Sequence, residues 1–169
     1  MIFFFSFIAF VIAQRLAELF FAQKNRKKML ALGAAEYDAA GYRFIVIMHL
    51  AFFISLIAEV YFFRRIISDY WYIFIVLFAA AQIIRYWAII SLGKFWNTRI
   101  IILKGSARIH KGPYRYLSHP NYAAVIVELA VVPVMFNCYI TAIVFTFINL
   151  LVLSRRIKIE NRIMHQLMN

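Results

Sequence analysis

Acidic residues are scarce: 7 Asp and Glu stand against 19 Lys and Arg, giving a net charge of +12. Cysteine is nearly absent, and Cys138 alone excludes an internal disulfide and any Cys-rich zinc site. The 4 His have no ligand spacing, so no metal is expected. Only 5 Gly and 3 Pro are present, and no Gly-rich phosphate loop follows a strand-like run. A soluble nucleotide-binding domain of the Rossmann type is therefore not expected. The final Leu-Met-Asn is not a prenylation signal. Met1–Ala13 lacks both a basic leading region and a small-residue cleavage site. It runs on through Gln14, Arg15 and Glu18 to Phe20 and Phe21, and reads as a retained helix.

What the chain has in excess is apolar surface. Hydrophobic residues make up 65%, aromatics 18%, and the mean hydropathy is +0.79. A soluble domain has about 45–50% apolar residues. The apolar residues fall in blocks long enough to cross a bilayer, roughly 17–25 residues each. The expected fold is an all-α integral membrane protein, one domain over residues 1–169, with five transmembrane helices. These are expected near Ile2–Phe21, Phe44–Phe63, Tyr70–Leu92, Asn121–Phe136 and Tyr139–Leu153, followed by a tail over 154–169. The last two meet at Asn137 as a tight hairpin, with Pro133 placed to kink the fourth.

Charge sets the orientation. Lys24, Arg26, Lys27, Lys28 and Arg43 fill the first gap. The third gap holds Lys94, Arg99, Lys104, Arg108, Lys111 and Arg115 without an acid, and the tail holds Arg155, Arg156, Lys158 and Arg162. With five spans these gaps share one side, which the positive-inside rule makes cytoplasmic, with the N-terminus outside. A bacterial-type plasma membrane is expected. Because the charge sits between apolar blocks rather than on a folded basic face, no nucleic-acid partner is expected.

Polar residues recur within the cytoplasmic half of the helices. Arg85 lies about 11 Å and Glu128 about 12 Å from the inner ends of helices three and four. Gln14, Glu18, His49, Gln82 and Asn149 are similarly placed, whereas Glu59 sits near the outer end and is expected to reach toward Arg64. An ionisable group in a span is costly and marks a functional candidate. The plainer reading is interhelical hydrogen bonding. Arg85 and Glu128, opposite in charge at matched depth, are expected to pair beside a cavity and to be substrate residues; packing and chemistry both remain open for them.

The densest signal is Arg108-Ile-His-Lys-Gly-Pro-Tyr-Arg-Tyr-Leu-Ser-His-Pro-Asn-Tyr122. Gly112-Pro113 signals a turn, and Pro120 suits the first turn of a helix, whose N-terminus attracts anions. The plainer reading is an interfacial loop anchored by Tyr114, Tyr116 and Tyr122. Gly112-x-Tyr114 followed by His119-Pro120-x-Tyr122 resembles the signature of the isoprenylcysteine carboxyl methyltransferase family. Arg156 and Glu160, four residues apart near the C-terminus, match the same family. The resemblance covers the chain from Leu92-Gly93 onward. Gln14-Arg15-x-x-Glu18-Leu19 and Trp96-Asn97 are similar to a short bacterial branch, some members of which methylate long-chain alkylpyrones. Ser118, Ser106 and Asn161 differ from the family pattern, which bears on the acceptor more than on the cofactor.

The resemblance implies S-adenosylmethionine as cofactor, held by Tyr114, His119, Pro120, Tyr122 and Glu160 with Arg108 and Ile109 of the same stretch. It implies Arg156 as the catalytic residue, beside the carboxylate or enolate of a lipophilic or lipidated acceptor. Such an acceptor is already ionised and needs no general base, in keeping with the lack of any triad. The competing reading is a non-catalytic transporter subunit or assembly factor built around Arg85 and Glu128. It accounts for the buried charges but not for the 108–122 stretch. For Arg156 and Glu160 the plainer reading is a surface ion pair.

The topology makes a direct prediction. A reporter fused after Asn169 is expected to behave as cytoplasmic, and one inserted between Arg65 and Asp69 as external. The opposite result at Asn169 would overturn the placement of the 108–122 stretch at the cytoplasmic face.

Overall fold

The computed structural model describes residues 1–106 and 109–168. Arg108, one of the expected cofactor residues, and Asn169, at the end of the expected tail, lie outside the described residues. Five helices dominate: α1 Ile2–Ala31, α2 Ala39–Phe62, α3 Trp71–Leu92, α4 Pro120–Met135 and α5 Tyr139–Met168. Two short strands, β1 Ala35–Tyr37 and β2 Ile100–Ile102, pair antiparallel.

Four helices, α1, α2, α3 and α5, are long and apolar enough to cross a membrane. The protein is an integral membrane protein. Helix α4 is apolar but has only 16 residues, about 24 Å at the α-helical rise, short of a hydrocarbon core about 30 Å thick. Helices α1 and α5 err the other way, with 30 residues each, or about 45 Å. The expected ends at Phe21 and Leu153 were set by hydropathy, which falls where basic residues begin. Lys, Arg, Glu and Gln are good helix formers, so both helices continue through their charged segments, and residues 154–168 extend α5, with Arg156 and Glu160 on its helical face. Helix α2 likewise starts at Ala39, five residues before Phe44, with Asp38 accepting from the Gly41 N–H as its cap.

Helix α4 packs along α3 and α5, and α5 also packs on α2. The end away from the basic segments is filled by hydrocarbon: Phe4, Phe7, Ile8 and Val11 meet Phe52, Leu56, Phe78, Val132 and Phe136. Phe4 and Phe136 meet edge to face at 4.9 Å, and Phe7 and Phe78 at 5.2 Å. Pro133 lies in the last turn of α4, and Asn137 takes a left-handed conformation at φ 56° to reverse the chain into α5.

Glu59 corrects an expectation. It does not reach Arg64. Its carboxylate turns inward, 5% exposed, and caps α5. It accepts from the Thr141 N–H and hydroxyl at 2.8 Å each and from the Ile140 N–H at 3.3 Å. Its nearest cation is Arg65, at 3.7 Å. Four N–H groups at a helix start have no intrahelical acceptor, and in an apolar setting they need one from a side chain.

At the basic end, Glu36 of β1 pairs with Arg99 and, at 2.7 Å, with Arg26 of α1. Burial opposes ionisation of Glu36, but the hydrogen bonds and charges of Arg99 and Arg26 outweigh it and hold the carboxyl below its ordinary range. Asn25 donates to the carbonyls of Gly93 and Trp96 at 3.0 and 2.9 Å, fixing the α3–β2 connection against α1.

Glu59→Ala leaves the Thr141 N–H buried without an acceptor, while the Thr141 hydroxyl keeps Ser55 Oγ at 2.9 Å. It is expected to cost about 1–3 kcal/mol, read as a lower midpoint of thermal unfolding in mild detergent. Glu59→Gln keeps an acceptor oxygen and is expected to lose less; equal losses would rule out the cap.

Candidate functional site

A layer of polar side chains crosses the bundle between the apolar end and the basic end. Arg85 of α3 is 1% exposed. Its Nη2 donates to Glu128 Oε2 of α4 at 2.6 Å, and its Nη1 to Glu18 Oε2 of α1 at 3.3 Å. Arg15 of α1 bridges the same two carboxylates. Gln82 donates to Glu128 at 3.4 Å and accepts from Gln14, which also donates to Glu18 at 3.3 Å. Two guanidiniums and two carboxylates thus alternate, each charge facing its opposite. Arg15 was not singled out as part of this layer in the sequence. Its signal was there: Arg15 and Glu18 are three apart and share a helix face.

Beside this layer lies a cavity of about 360 Å³. Arg15, Glu18, Arg85 and His49 line one part of it, and Ile12, Phe53, Ile54 and Ile57 another. Leu16 of α1 and Leu50 and Ile54 of α2 line it while being exposed on the bundle surface, so the cavity opens sideways between α1 and α2. Toward the basic end it is bounded by Trp96, Asn97, Thr98, Asn121, Tyr122 and Arg156.

The 109–122 stretch closes that end. Gly112 has φ +57°, and a Cβ there would collide with Ser91 Oγ and crowd Trp87 Nε1. Only glycine lets the turn at Gly112–Arg115 lie flat on α3. Pro113 is buried beneath it. His119 ends the loop, and Pro120 opens α4, where its missing N–H costs nothing. One turn on, the Tyr122 ring stacks on the His119 imidazole at 5.1 Å and 8°.

Helix α5 meets this pair from the other side. Arg156 is 5% exposed, and its Nε donates to the Tyr122 hydroxyl at 2.8 Å. That hydroxyl donates in turn to Glu160 Oε2 at 2.7 Å. Arg156 Nη2 donates to the Thr98 carbonyl at 2.7 Å. His119 Nδ1 lies 3.8 Å from Glu160 Oε2, while its Nε2 is buried without a partner. Arg156 and Glu160 are therefore not a surface ion pair; they are joined through Tyr122. Tyr114 is half-buried, and burial and then the Glu160 charge push its hydroxyl pKa up. Ile109 is half-buried ahead of the turn.

The structure thus brings His119, Pro120, Tyr122, Arg156 and Glu160 to one place, with the charge of Glu160 felt at Tyr114. Arg85 and Glu128 lie apart, in the ionic layer, and Arg85 faces the same cavity as Arg156. The Thr98 carbonyl was missed, and no sequence signal distinguishes one backbone carbonyl from another. Trp96 and Asn97 were noticed only through the resemblance; in the structure both line the cavity. Among the described residues no group of three or more His, Cys, Asp or Glu could hold a metal ion.

A family model, that of the isoprenylcysteine carboxyl methyltransferase family, matches residues 72–166, from the start of α3 to near the end of α5. The chain belongs to that family. The match takes in Tyr114, His119, Tyr122, Arg156 and Glu160, and so supports a methyltransferase. An uncharacterized protein of Bacillus subtilis, YpbQ, is 39% identical over 163 residues, covering 96% of this chain and 97% of its own length. An uncharacterized protein of Haemophilus influenzae is 28% identical over 160 residues, covering 94% of this chain and 93% of its own. Both relatives span α1 as well, which the family model leaves out. No solved structure matches the chain.

Glu128→Leu leaves Arg85 buried without its nearest carboxylate and is expected to destabilise the bundle by about 3–5 kcal/mol. Adding Arg85→Met removes the stranded charge and is expected to restore part of that loss. Unfolding of the two variants in mild detergent measures the difference; a double variant worse than the single one would show that the layer is not coupled in this way.

Proposed function

We propose that this protein transfers a methyl group from S-adenosylmethionine to an ionised oxygen of a lipophilic acceptor, a carboxylate or an acidic enol or phenol. The observation that carries this reading is the junction at Tyr122 and Arg156. Both line the apolar cavity, and Tyr122, which accepts from Arg156, connects directly to Glu160 and His119 outside it. An apolar ligand on one side and a polar, charged one on the other would meet there.

The residues outside the cavity fit the cofactor. Glu160 has one oxygen engaged by Tyr122 and keeps 25% of its side chain exposed, enough to receive an ammonium or ribose hydroxyls. His119 Nε2 is buried without a partner. Tyr114 and the His119–Tyr122 stack offer aromatic faces to a base and a cation. The first turn of α4 suits a carboxylate. Arg108 and Ile109 complete this side by family resemblance. When bound, S-adenosylmethionine would supply a sulfonium methyl group to an oxygen nucleophile in line, with the neutral thioether S-adenosylhomocysteine as the leaving group.

Arg156 orients the anionic acceptor and offsets its desolvation, since its planar fork matches a carboxylate or enolate. The Thr98 carbonyl and the Tyr122 hydroxyl hold that fork in place. No residue has to take a proton from an ionised acceptor. The chain contributes approximation and the exclusion of water. Arg85 borders the acceptor's path, and Glu128 holds Arg85 in place from α4. In topology, α4 serves as a fifth span, the N-terminus lies outside, and the site faces the cytoplasm, where the basic segments gather. The finer reading of the acceptor is a long-chain alkylpyrone enol. A non-catalytic subunit built on the ionic layer leaves the Arg156–Tyr122–Glu160 linkage without a purpose.

The two sides of the junction are separable. Arg156→Lys keeps the charge and loses the fork; it is expected to bind S-adenosylmethionine normally and to methylate poorly in single turnover. Glu160→Gln is expected to raise the cofactor's Kd instead. His119→Ala and Tyr122→Phe are each expected to weaken cofactor binding by about 0.5–1.5 kcal/mol, up to about 3 where a charged group is involved. Folded variants that all bind and transfer like the wild type would sink the assignment.

A further inference from the structure

Arg156 is aimed by a carbonyl that needs support of its own. Its Nε donates to the Tyr122 hydroxyl at 2.8 Å and its Nη2 to the Thr98 carbonyl at 2.7 Å. A guanidinium is planar and rigid, so two held nitrogens fix the aim of the third. Tyr122 sits in the first turn of α4 and is tied to Glu160. Thr98 has no such anchor. It lies in a bend, outside any helix or strand, where no backbone ladder holds its carbonyl.

Arg99 supplies the anchor. The Thr98 carbonyl belongs to the planar peptide unit that ends at the Arg99 Cα, so its direction follows the Arg99 backbone. The Arg99 side chain pairs with Glu36 of β1, which also takes Arg26 of α1 at 2.7 Å. Its guanidinium lies 4.1 Å over the Tyr42 ring of α2. On the other side of Arg99, Ile100 pairs with Tyr37 in the two-stranded ladder. Arg99 is thus gripped from β1 and α2, and through Glu36 from α1. It does not itself line the cavity, whereas Thr98 and Tyr42 do.

We propose that Arg99 is a positioning residue: held by Glu36 and Tyr42, it sets the peptide between Thr98 and Arg99 so that its carbonyl keeps the Arg156 fork aligned on the acceptor's ionised oxygen. This rests on the methyltransferase reading. Arg99 acts through the carbonyl, not on the acceptor. Loosening that peptide lets the fork turn and leaves Glu160 and His119 in place, so acceptor alignment suffers and cofactor binding does not.

The test uses wild type, Arg99→Met and the milder Arg99→Lys in lipid nanodiscs, with Arg156→Lys alone and combined with each. Hydrogen exchange of the Arg156 Nε–H, identified by its absence in Arg156→Lys, is followed by NMR. Both Arg99 variants are expected to speed that exchange, Arg99→Met by at least about tenfold, while keeping the Kd for S-adenosylmethionine, which also shows that they fold. Single-turnover methylation of a long-chain alkylpyrone is expected to slow about ten- to hundredfold in Arg99→Met. In the Arg156→Lys background, where no fork is left to aim, the same change is expected to add less than about twofold. A merely structural role would instead give the full loss in both backgrounds. Unchanged exchange in both variants, or additive losses of rate, overturns the proposal and leaves the methyltransferase reading standing. Wild type that binds the cofactor without methylating the alkylpyrone removes that acceptor, and the exchange result alone then decides. Wild type that does not bind the cofactor removes the methyltransferase reading, and the proposal with it.

Discussion

A carboxylate within hydrocarbon is costly unless cations touch it, and Glu128 is held by two. Arg15 comes from α1, Arg85 from α3, and Glu128 itself from α4. One oxygen therefore ties three helices together where apolar contacts alone have little directional preference, since lipid tails are as apolar as leucine. With Glu18 and the two glutamines, the layer fixes the register of α1 against α3. The cavity beside it exists because these side chains keep to each other and do not fill the space toward α2.

The junction at Tyr122 depends on a different local device. Pro120 starts α4, which sets His119 just outside the helix and Tyr122 one turn inside, so that their rings stack. Arg156 and Glu160, one turn apart on α5, then meet the Tyr122 hydroxyl from two directions. A single phenol is acceptor to one and donor to the other. The motif residues are thus distant in sequence from Arg156 and Glu160 yet share one hydrogen-bonded line.

Much of this was legible beforehand. Apolar blocks marked the helices, the His119-Pro120-x-Tyr122 spacing marked the loop-to-helix boundary, and the depths of Arg85 and Glu128 placed them at one level. The errors have physical causes. Hydropathy ends where a helix leaves the apolar zone, not where its hydrogen bonds end, so α1 and α5 run on past the membrane spans expected for them. Glu59 was assigned by sequence proximity to Arg64, whereas the start of α5 supplied the stronger demand, several N–H groups without acceptors. The Arg15–Glu128 contact has no local signal, because the two residues are far apart in the chain. The Thr98 carbonyl carries no side-chain signature at all.

The charge balance of the ionic layer has a consequence for life in an energised membrane. A displaced charge at this depth would work against the transmembrane potential, at about 2.3 kcal/mol per elementary charge per 100 mV for a full crossing. Two guanidiniums and two carboxylates that move together carry no net charge through that field. Flexing of the bundle therefore does no electrical work through this layer.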